Sequence, residues 1–447
     1  MIGGVRGPRG LATRRPDLQK GAPLFLVLLA LGPLGCTTVA APGPPPAASV
    51  PLPAAAPARP ALPELPRLRQ QVDRDPGDAV ARHRLGRALI GRGEMAEAVV
   101  WLRDALRLAP DLAEARASLG LALYGMGDVG AAVEELRAVL RARPDLVEPR
   151  LTLAAALVAR QDWPAARAVL EELVAAHPDL AQAHYTLGAV RYTQGDLDGA
   201  IAAYRRVLTL EPRQADARYN LGLVLRLARR DVEATPEFLA AARAGLPSAQ
   251  FFAGTAYAGG LGVERDLAQA VRWWSGAAEQ GMREADEALA QLRLVALGRA
   301  RRPPAEREAA ERAFGDFRES LWGEHADLAR DGADSVGAAL LRAGRVAEAV
   351  RLLLREAAAL GEPAERQLET LYEQGVEDRL PAHDARILAY FKIAAAEGQV
   401  RPRIALARFY ARGLGVPKDV ARALGLLRAT PHEDAQRLLR ELSAASP

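Results

Sequence analysis

The sequence predicts an all-α protein in which helical hairpins stack into a solenoid, and three sets of residues support this fold class. Prolines, leucines and alanines each recur at intervals of 34 residues. A repeat of this length is typical of stacked helical hairpins, because one hairpin cannot bury its apolar face alone. The prolines are Pro76, Pro110, Pro144, Pro178 and Pro212. The leucines are Leu85, Leu119, Leu153, Leu187 and Leu221. The alanines are Ala98, Ala132, Ala166, Ala200 and Ala234.

The first element of the chain has the composition of an export signal. Arginines and Lys20 form a basic segment, which the apolar run from Pro23 to Leu31 follows. A run this short is typical of a signal peptide and falls short of a membrane-spanning helix. We therefore expect residues 1–35 to be a signal peptide.

Cys36, the only cysteine of the chain, directly follows this segment. One thiol can form neither an internal disulfide nor a metal site. Gly35 before Cys36 resembles the lipobox of bacterial lipoproteins, although Pro33 stands where that family prefers leucine. The resemblance implies that Cys36 is acylated and becomes the mature N-terminus. The alternative is an ordinary cleaved signal with an incidental thiol.

The balance of charge argues against nucleic acid as a partner. The chain has 59 Lys and Arg against 55 Asp and Glu. Residues 1–35 hold five of these bases and one of these acids, which leaves 54 of each in the rest of the chain. A protein that binds nucleic acid needs a basic surface. We therefore expect no nucleic acid partner, and contact with a membrane only through the lipid anchor.

Residues 36–66 are predicted to be a lipid-anchored tether. Their composition is mostly alanine and proline. Such a segment buries too little apolar surface to fold, and its prolines favour an extended backbone. A tether of this kind would hold a folded domain away from a membrane.

Residues 67–247 contain the 34-residue units, each predicted to be two amphipathic helices. Small residues that follow four of the leucines, such as Gly86 and Gly120, would let paired helices approach closely. Residues 64–78 are expected to supply an N-terminal capping helix. The five units over residues 79–247 resemble the tetratricopeptide repeat family. That resemblance implies a right-handed superhelix.

A second hairpin type is expected over residues 248–298 and again near the C-terminus. Residues 256–281 and 409–429 share the pattern Gly-x-Gly-Val-x-x-Asp and resemble the Sel-one-like repeat. The glycines permit a turn with positive φ, and Asp266 or Asp419 can cap the following helix. Gln269 is expected to complete a capping box with Asp266.

The remaining C-terminal part is less regular. The pattern Ala-Ala-x-x-Gly marks predicted helix ends at Gly245, Gly281, Gly361 and Gly398. The interval of 80 residues from Gly281 to Gly361 is long enough to predict about two eroded units. Residues 299–332 are interpreted as a helical insert. Residues 333–447 are interpreted as degenerate and Sel-one-like repeats.

No motif in the sequence indicates catalysis, a cofactor or a metal. The chain has no P-loop lysine, no His-Glu-x-x-His and no Gly-x-Ser-x-Gly. His177 and His184 are the closest pair of histidines, but His177 lies at a proline-containing turn. Paired acids such as Glu134-Glu135 and Glu171-Glu172 are expected to be solvated.

One helical face is a candidate binding surface. Two tyrosines seven residues apart, Tyr185 and Tyr192, lie beside the face that the leucines bury, and the repeat places other tyrosines at equivalent positions. The tetratricopeptide resemblance implies that these positions line a concave groove in which partner peptides bind. We expect the tyrosines to contribute little to the stack itself. The candidate groove residues are Tyr124, Tyr185, Tyr192, Tyr219, His83, Arg87 and Arg226.

These features together predict a non-catalytic interaction scaffold in a bacterial envelope. The expected location is the periplasmic face of the outer membrane, through the lipid on Cys36. Lipoproteins that combine these two repeat types suggest a role in an export or exopolysaccharide-secretion complex. The alternative is an envelope enzyme, or an enzyme-activating subunit, with residues 299–332 as the active portion.

Overall fold

A computed structural model describes residues 64–330, 333–396 and 398–444. The predicted signal peptide, Cys36 and nearly all of the tether lie outside these residues. The described part is helical, with one isolated bridge between Val376 and Leu380, which confirms the predicted all-α solenoid of hairpins. Helices α1 to α11 are Glu64–Arg74, Ala79–Gly91, Met95–Leu108, Ala113–Gly125, Val129–Ala142, Val147–Ala159, Trp163–Ala176, Ala181–Thr193, Leu197–Leu210, Ala215–Leu227 and Asp231–Arg243. Helices α12 to α22 are Pro247–Gly259, Leu267–Glu279, Arg283–Ala296, Pro304–Glu324, Val336–Arg342, Val346–Leu360, Ala364–Gln374, Ala385–Ala396, Val400–Arg412, Val420–Arg428 and Glu433–Ala444.

Helix α1 packs against α2 through Leu65, Leu68 and Val72, which are buried. Its other side chains are mostly exposed, as expected of a helix that caps the end of a stack. Because α1 begins at Glu64, the predicted end of the tether at residue 66 is too late.

The five 34-residue units form the hairpins α2–α3, α4–α5, α6–α7, α8–α9 and α10–α11. Three of the second helices begin at an aspartate whose carboxylate accepts a hydrogen bond from a backbone N–H of the first turn, which stabilises the helix N-terminus. These caps are Asp128, Asp162 and Asp196. The repeated prolines follow α1, α3, α5, α7 and α9, where a helix cannot continue through them.

In four of these five hairpins a glycine and a large residue 16 positions apart bring the two helices into close contact. A β-carbon placed on Gly86 would lie 2.6 Å from Cγ of Leu102, so only glycine permits this approach of α2 and α3. Gly188 receives Tyr204 in the same way, and Gly222 receives Phe238. The predicted close approach at these positions is confirmed. We call these units short-turn hairpins.

The hairpins α12–α13 and α20–α21 have longer turns, and we call them long-turn hairpins. In the first of them the small and large residues in close approach, Gly254 and Trp274, lie 20 positions apart. Asp266 Oδ1 accepts a hydrogen bond from the Gln269 N–H at 3.0 Å, and Asp419 caps α21 in the same way. The predicted capping box is wrong in one part, because the Asp266 N–H donates to the carbonyl of Tyr257 instead of to the Gln269 side chain.

The leucine carbonyl in each long turn accepts a hydrogen bond from an earlier part of the stack. Thr235 Oγ1 donates to Leu261 O at 2.6 Å, and the Tyr372 hydroxyl donates to Leu414 O at 2.8 Å. These bonds attach the longer turn to the hairpin before it.

The interval from Gly281 to Gly361 contains the four helices α14 to α17. Gly337 and Leu353 are 16 positions apart and in close approach, so α16–α17 is another short-turn hairpin. Helix α15, in the predicted insert, packs on α13 and α14, and α17 also contacts α13. The chain therefore departs here from a strict succession of neighbours. Among the described residues, none of the helices has both the length and the apolar character needed to cross a membrane.

Candidate functional site

The first helices of successive short-turn hairpins lie side by side, with α2 against α4, α4 against α6, and α6 against α8. We number each unit from the first residue of its first helix. Positions 2, 5, 9 and 12 follow one side of that helix, because they are three or four residues apart. We call the surface made by these positions of the five units the first-helix face. The first residues are Ala79, Ala113, Val147, Ala181 and Ala215.

Position 5 of one unit contacts position 6 of the next at two places, and in the fifth unit it contacts α12. His83 Nε2 lies 3.1 Å from Ser118 Oγ, and Asn220 Nδ2 donates to the Tyr185 hydroxyl at 2.9 Å. Tyr219 contacts Phe252, with ring centroids 6.0 Å apart. Position 5 therefore joins neighbouring units.

This corrects the expectation for His83. The His83 side chain is buried against the second unit, and burial together with the charge of Arg87 lowers the pKa of its imidazole. A buried and hydrogen-bonded imidazole is not available to a partner. Arg87, one helical turn further on, is exposed as expected.

Tyr219 also differs from its expected role. Its ring lies 6.1 Å from that of Phe238, and Phe238 stacks on Phe252 at 4.9 Å. Tyr219 therefore belongs to the packing between the fifth unit and α12. The expectation that the stack does not need this tyrosine is wrong. The same expectation is wrong for Tyr185, because its hydroxyl accepts a hydrogen bond from Asn220 of the next unit.

Tyr204 completes an aromatic cluster around Tyr185, which the sequence reasoning missed. The two rings meet edge to face with centroids 5.7 Å apart, and Tyr204 is 1% exposed. Burial raises the pKa of Tyr204, Tyr185, Tyr192 and Tyr219 above the usual value. The 16-residue spacing from Gly188 to Tyr204 is the signal that identifies it.

Tyr124 and Tyr192, both at position 12, are the two tyrosines that remain candidates for partner binding. Each is half-buried, and burial is the cause that raises the pKa of each phenol. Leu121 and Leu223 at position 9 are also partly exposed. The guanidinium of Arg226 lies over the ring of Phe252, 5.2 Å from its centroid, and burial lowers its pKa. The first-helix face therefore presents aromatic and aliphatic surface to solvent.

Two of the acids expected to be solvated make ion pairs. Glu171 Oε1 lies 2.8 Å from Nη2 of Arg191 and 2.9 Å from Nε of Arg167. Glu135 pairs with Arg116 at 2.9 Å. Arg191, which occupies the position of a buried leucine in the other units, is accommodated by its pair with Glu171.

A row of side chains at position 4 links the second to fifth units each to the unit before it. Arg116 donates to Pro110 O at 3.0 Å, and Arg218 donates to Pro212 O at 2.9 Å. Arg150 donates to Pro144 O, and His184 Nε2 lies 3.1 Å from Pro178 O. The 34-residue recurrence of arginine at this position was a signal that the sequence reasoning did not use. His184 is therefore engaged in the stack.

An open cleft of about 790 Å³ lies between the first long turn and α15. Its lining includes Arg265, Asp266, Arg312 and Asp316. Arg265 donates to the Ala258 carbonyl, and the Asp266 carboxylate caps α13, so both serve the turn itself. No group of three or more His, Cys, Asp or Glu side chains in the described ranges could hold a metal ion.

Comparison with known proteins identifies the same two repeat types. Tetratricopeptide repeat models match residues 151–212, 191–249 and 113–146, and a TPR repeat model matches residues 86–127. The Sel1 repeat model matches residues 247–282 and 403–429. These matches confirm the predicted resemblance to both repeat families. No curated protein matches the sequence.

Two solved structures illustrate the likeness of the repeat region. One is YrrB, described as a TPR protein with an unusual peptide-binding site, at 21% identity and a TM-score of 0.36 over 39% of this chain and 91% of that chain. The other is MamA from Desulfovibrio magneticus RS-1, at 26% identity and a TM-score of 0.36 over 37% of this chain and 93% of that chain.

Proposed function

We propose that this protein is a non-catalytic scaffold whose first-helix face binds a segment of a partner protein. The observation that carries the proposal is the partly exposed aromatic and aliphatic surface at Tyr124, Tyr192, Leu121 and Leu223. Aromatic side chains in such positions supply large contact areas at low entropic cost, and they recur as binding anchors. The tetratricopeptide and Sel1 matches support a role in protein–protein interaction.

Site-specific crosslinking in the native cells tests this assignment. A photoreactive residue at position 192 should capture a protein partner, and the same residue at position 232 should not capture it. Val232 is the matched control because it is 74% exposed on the second helix of a neighbouring hairpin. Equal capture from both positions, or capture from position 232 alone, would contradict the assignment.

We further propose that the scaffold is exported and held by a lipid on Cys36 at the periplasmic face of the outer membrane. The sequence supports this through the basic and apolar residues before Cys36 and the proline-rich segment after it. The cellular role that we propose is the organisation of an export or exopolysaccharide-secretion complex.

The anchor is tested by fractionation of cells that carry Cys36→Ser. This variant should lack the acyl chains and leave the membrane fraction, whereas the unchanged protein should stay with outer membranes after a high-salt wash. A variant that remains with the washed outer membranes would show that Cys36 is not the anchor.

A further inference from the structure

Position 2 of the first-helix face carries an acidic row. Glu114, Glu148 and Asp216 occupy this position in the second, third and fifth units, and all three are exposed. Gln182 occupies it in the fourth unit. Because the same position recurs on neighbouring helices, these carboxylates form one edge of the face.

Two electrostatic effects indicate that this row lies beside the side chains at position 5. The charge of Glu114 acts on His83 and favours its protonated form, although burial has the larger effect and the pKa is lowered overall. The charge of Asp216 contributes to the raised pKa of the Tyr185 phenol, after burial. The partly exposed tyrosines at position 12 lie ten residues further along these helices, about 15 Å away.

The carboxylates of this row are less neutralised than other acids of the hairpins. Glu135, Glu171 and Glu237 each lie within 3.0 Å of an arginine nitrogen. Within the described residues, no nitrogen of an arginine, lysine or histidine lies within 4.0 Å of the carboxylate of Glu148 or of Asp216. The carboxylate of Glu114 has one such neighbour, Nη1 of Arg143, at 4.0 Å. The arrangement leaves negative charge on the edge of an apolar surface.

The central units carry no positive side chain on this face. At positions 2, 5, 9 and 12 of the five units, the basic residues are Arg87 in the first unit, Arg226 in the fifth, and the buried His83. Beside Glu114 the face is formed by Ala117, Leu121 and Tyr124, which are partly exposed. Beside Glu148 only the leucine at position 5 is partly exposed, because the alanine and valine at positions 9 and 12 are buried. Negative charge and partly exposed apolar surface therefore coincide mainly in the second unit.

We infer that the first-helix face binds a cationic amphipathic helix of a partner protein, with its apolar side on Tyr124 and Tyr192 and its Lys or Arg residues along the acidic row. The inference rests on the proposed function. Packed helices are about 8–10 Å apart, which sets the separation between carboxylates of adjacent units. Residues i and i+7 of a bound helix lie about 10 Å apart on one side, so that one basic residue can approach each carboxylate.

Two synthetic peptides of 25 residues test this inference with the full chain, because a helix that reaches from Glu114 to Asp216 across three unit steps needs about 22 residues. Both have leucines on one helical side; one carries lysines along the edge of that side and the other carries glutamates. We expect the Leu/Lys peptide to bind at least tenfold more tightly in fluorescence anisotropy at low salt. We expect most of this difference to disappear at high salt, because exposed charges are then screened. Absence of Leu/Lys binding, or equal binding of the two peptides, would overturn the inference.

Matched variants locate the charge effect. Glu114→Gln/Glu148→Gln/Asp216→Asn should weaken Leu/Lys binding about tenfold. The control Glu134→Gln/Glu172→Gln/Asp198→Asn, which removes three exposed acids from second helices, should leave it unchanged. Equal effects of the two triple variants would overturn the inference.

A variant of the two tyrosines distinguishes failure of the charge inference from failure of the proposed function on which it rests. If Tyr124→Ala/Tyr192→Ala weakens both peptides equally while the acidic triple variant changes neither, the face binds partners and the charge inference is wrong. If the tyrosine variant changes the binding of neither peptide, the first-helix face is not the binding site.

Discussion

Gln161 and Arg229 lie in the left-handed backbone region, each with φ of 60°. They occupy the turn position that glycine holds in the other three 34-residue units, with φ of 80° to 85°. Residues with a β-carbon lose roughly 1–2 kcal/mol in this region. We expect Gln161→Gly to raise the free energy of unfolding of its hairpin by about 1 kcal/mol, measured by local hydrogen exchange.

The reverse substitution is the control for this prediction. Gly127 has open space around its α-carbon, so Gly127→Gln adds backbone strain without a clash and should destabilise α4–α5 by a similar amount. If Gln161→Gly leaves exchange in α6–α7 unchanged, backbone strain at this position is not significant.

Tyr219 and Tyr192 are expected to differ in their effect on stability, although both are tyrosines of the first-helix face. Tyr219→Ala removes contacts with Phe238 and Phe252 and should cost about 3 kcal/mol, as large aromatic truncations do. Tyr192→Ala should cost about 1 kcal/mol, because its ring is only half-buried. Urea unfolding of the two variants checks this difference, and equal losses would contradict it.

Tyr204 is expected to make the protein sensitive to alkaline pH. Burial keeps its phenol protonated in the folded state, whereas an unfolded tyrosine ionises near pH 10. Its contribution to stability is therefore complete below about pH 10 and is lost as the pH rises above that value. Between pH 10 and 12 the free energy of unfolding of Tyr204→Phe should decrease less steeply than that of the unchanged protein. Parallel curves over this range would argue against an effect of this phenol.

At the scale of a helix, Asp266 is expected to act on its own hairpin. Asp266→Ala removes the bond to the Gln269 N–H and should cost about 1 kcal/mol. Because repeat stability is approximately a sum of unit and neighbour terms, exchange should accelerate in α12 to α14. Asp419→Ala is the matched variant and should act on α20 and α21. Uniform acceleration from α2 to α22 would rule out a local cap.

The sequence was sufficient to predict the hairpins, because helix ends and close approaches depend on residues at fixed spacings. The prolines and Gly86 are examples, since each acts through backbone geometry that its identity determines. The contacts between units were not predictable in the same way. Whether Tyr185 faces solvent or Asn220 depends on how one hairpin is rotated against the next, which is a property of packing. This is why the candidate site contained His83, which the structure buries.

At the scale of the whole molecule, Arg355 connects three helices that are distant in sequence. It donates to Ser275 Oγ of α13 at 3.3 Å, lies 3.7 Å from Glu324 of α15, and covers the ring of Phe317. We expect Arg355→Met to destabilise this junction by about 2 kcal/mol, because a bond to a charged group is lost in a buried place. Hydrogen exchange should accelerate in α13, α15 and α17 and stay unchanged in α2 to α9.

Arg366→Met is the control for Arg355. Arg366 pairs with Glu362 at an exposed site, and such pairs contribute little to stability. If Arg366→Met and Arg355→Met have equal effects on exchange, the junction is not held by Arg355.

The contact of α17 with α13 also shows where sequence periodicity stops being informative. Gly281 and Gly361 were correct as helix ends, because helix ends are local, and the four helices α14 to α17 lie between them. Helix α15, in the predicted insert, packs in this interval through Phe314, Phe317 and Leu321, which are buried. Nothing in the spacing of these residues specifies the helices that they contact, so the departure from a regular stack could only be seen in the structure.

The two hairpin types differ in the length of their turn and agree in the pair of residues that join their helices. Gly222 with Phe238 and Gly254 with Trp274 make equivalent approaches, although the second pair is separated by four more residues. The extra residues are therefore accommodated outside the helix pair. Insertions and deletions should be tolerated at these turns more readily than anywhere else in a hairpin, so that one type can evolve into the other while the neighbouring units stay in place.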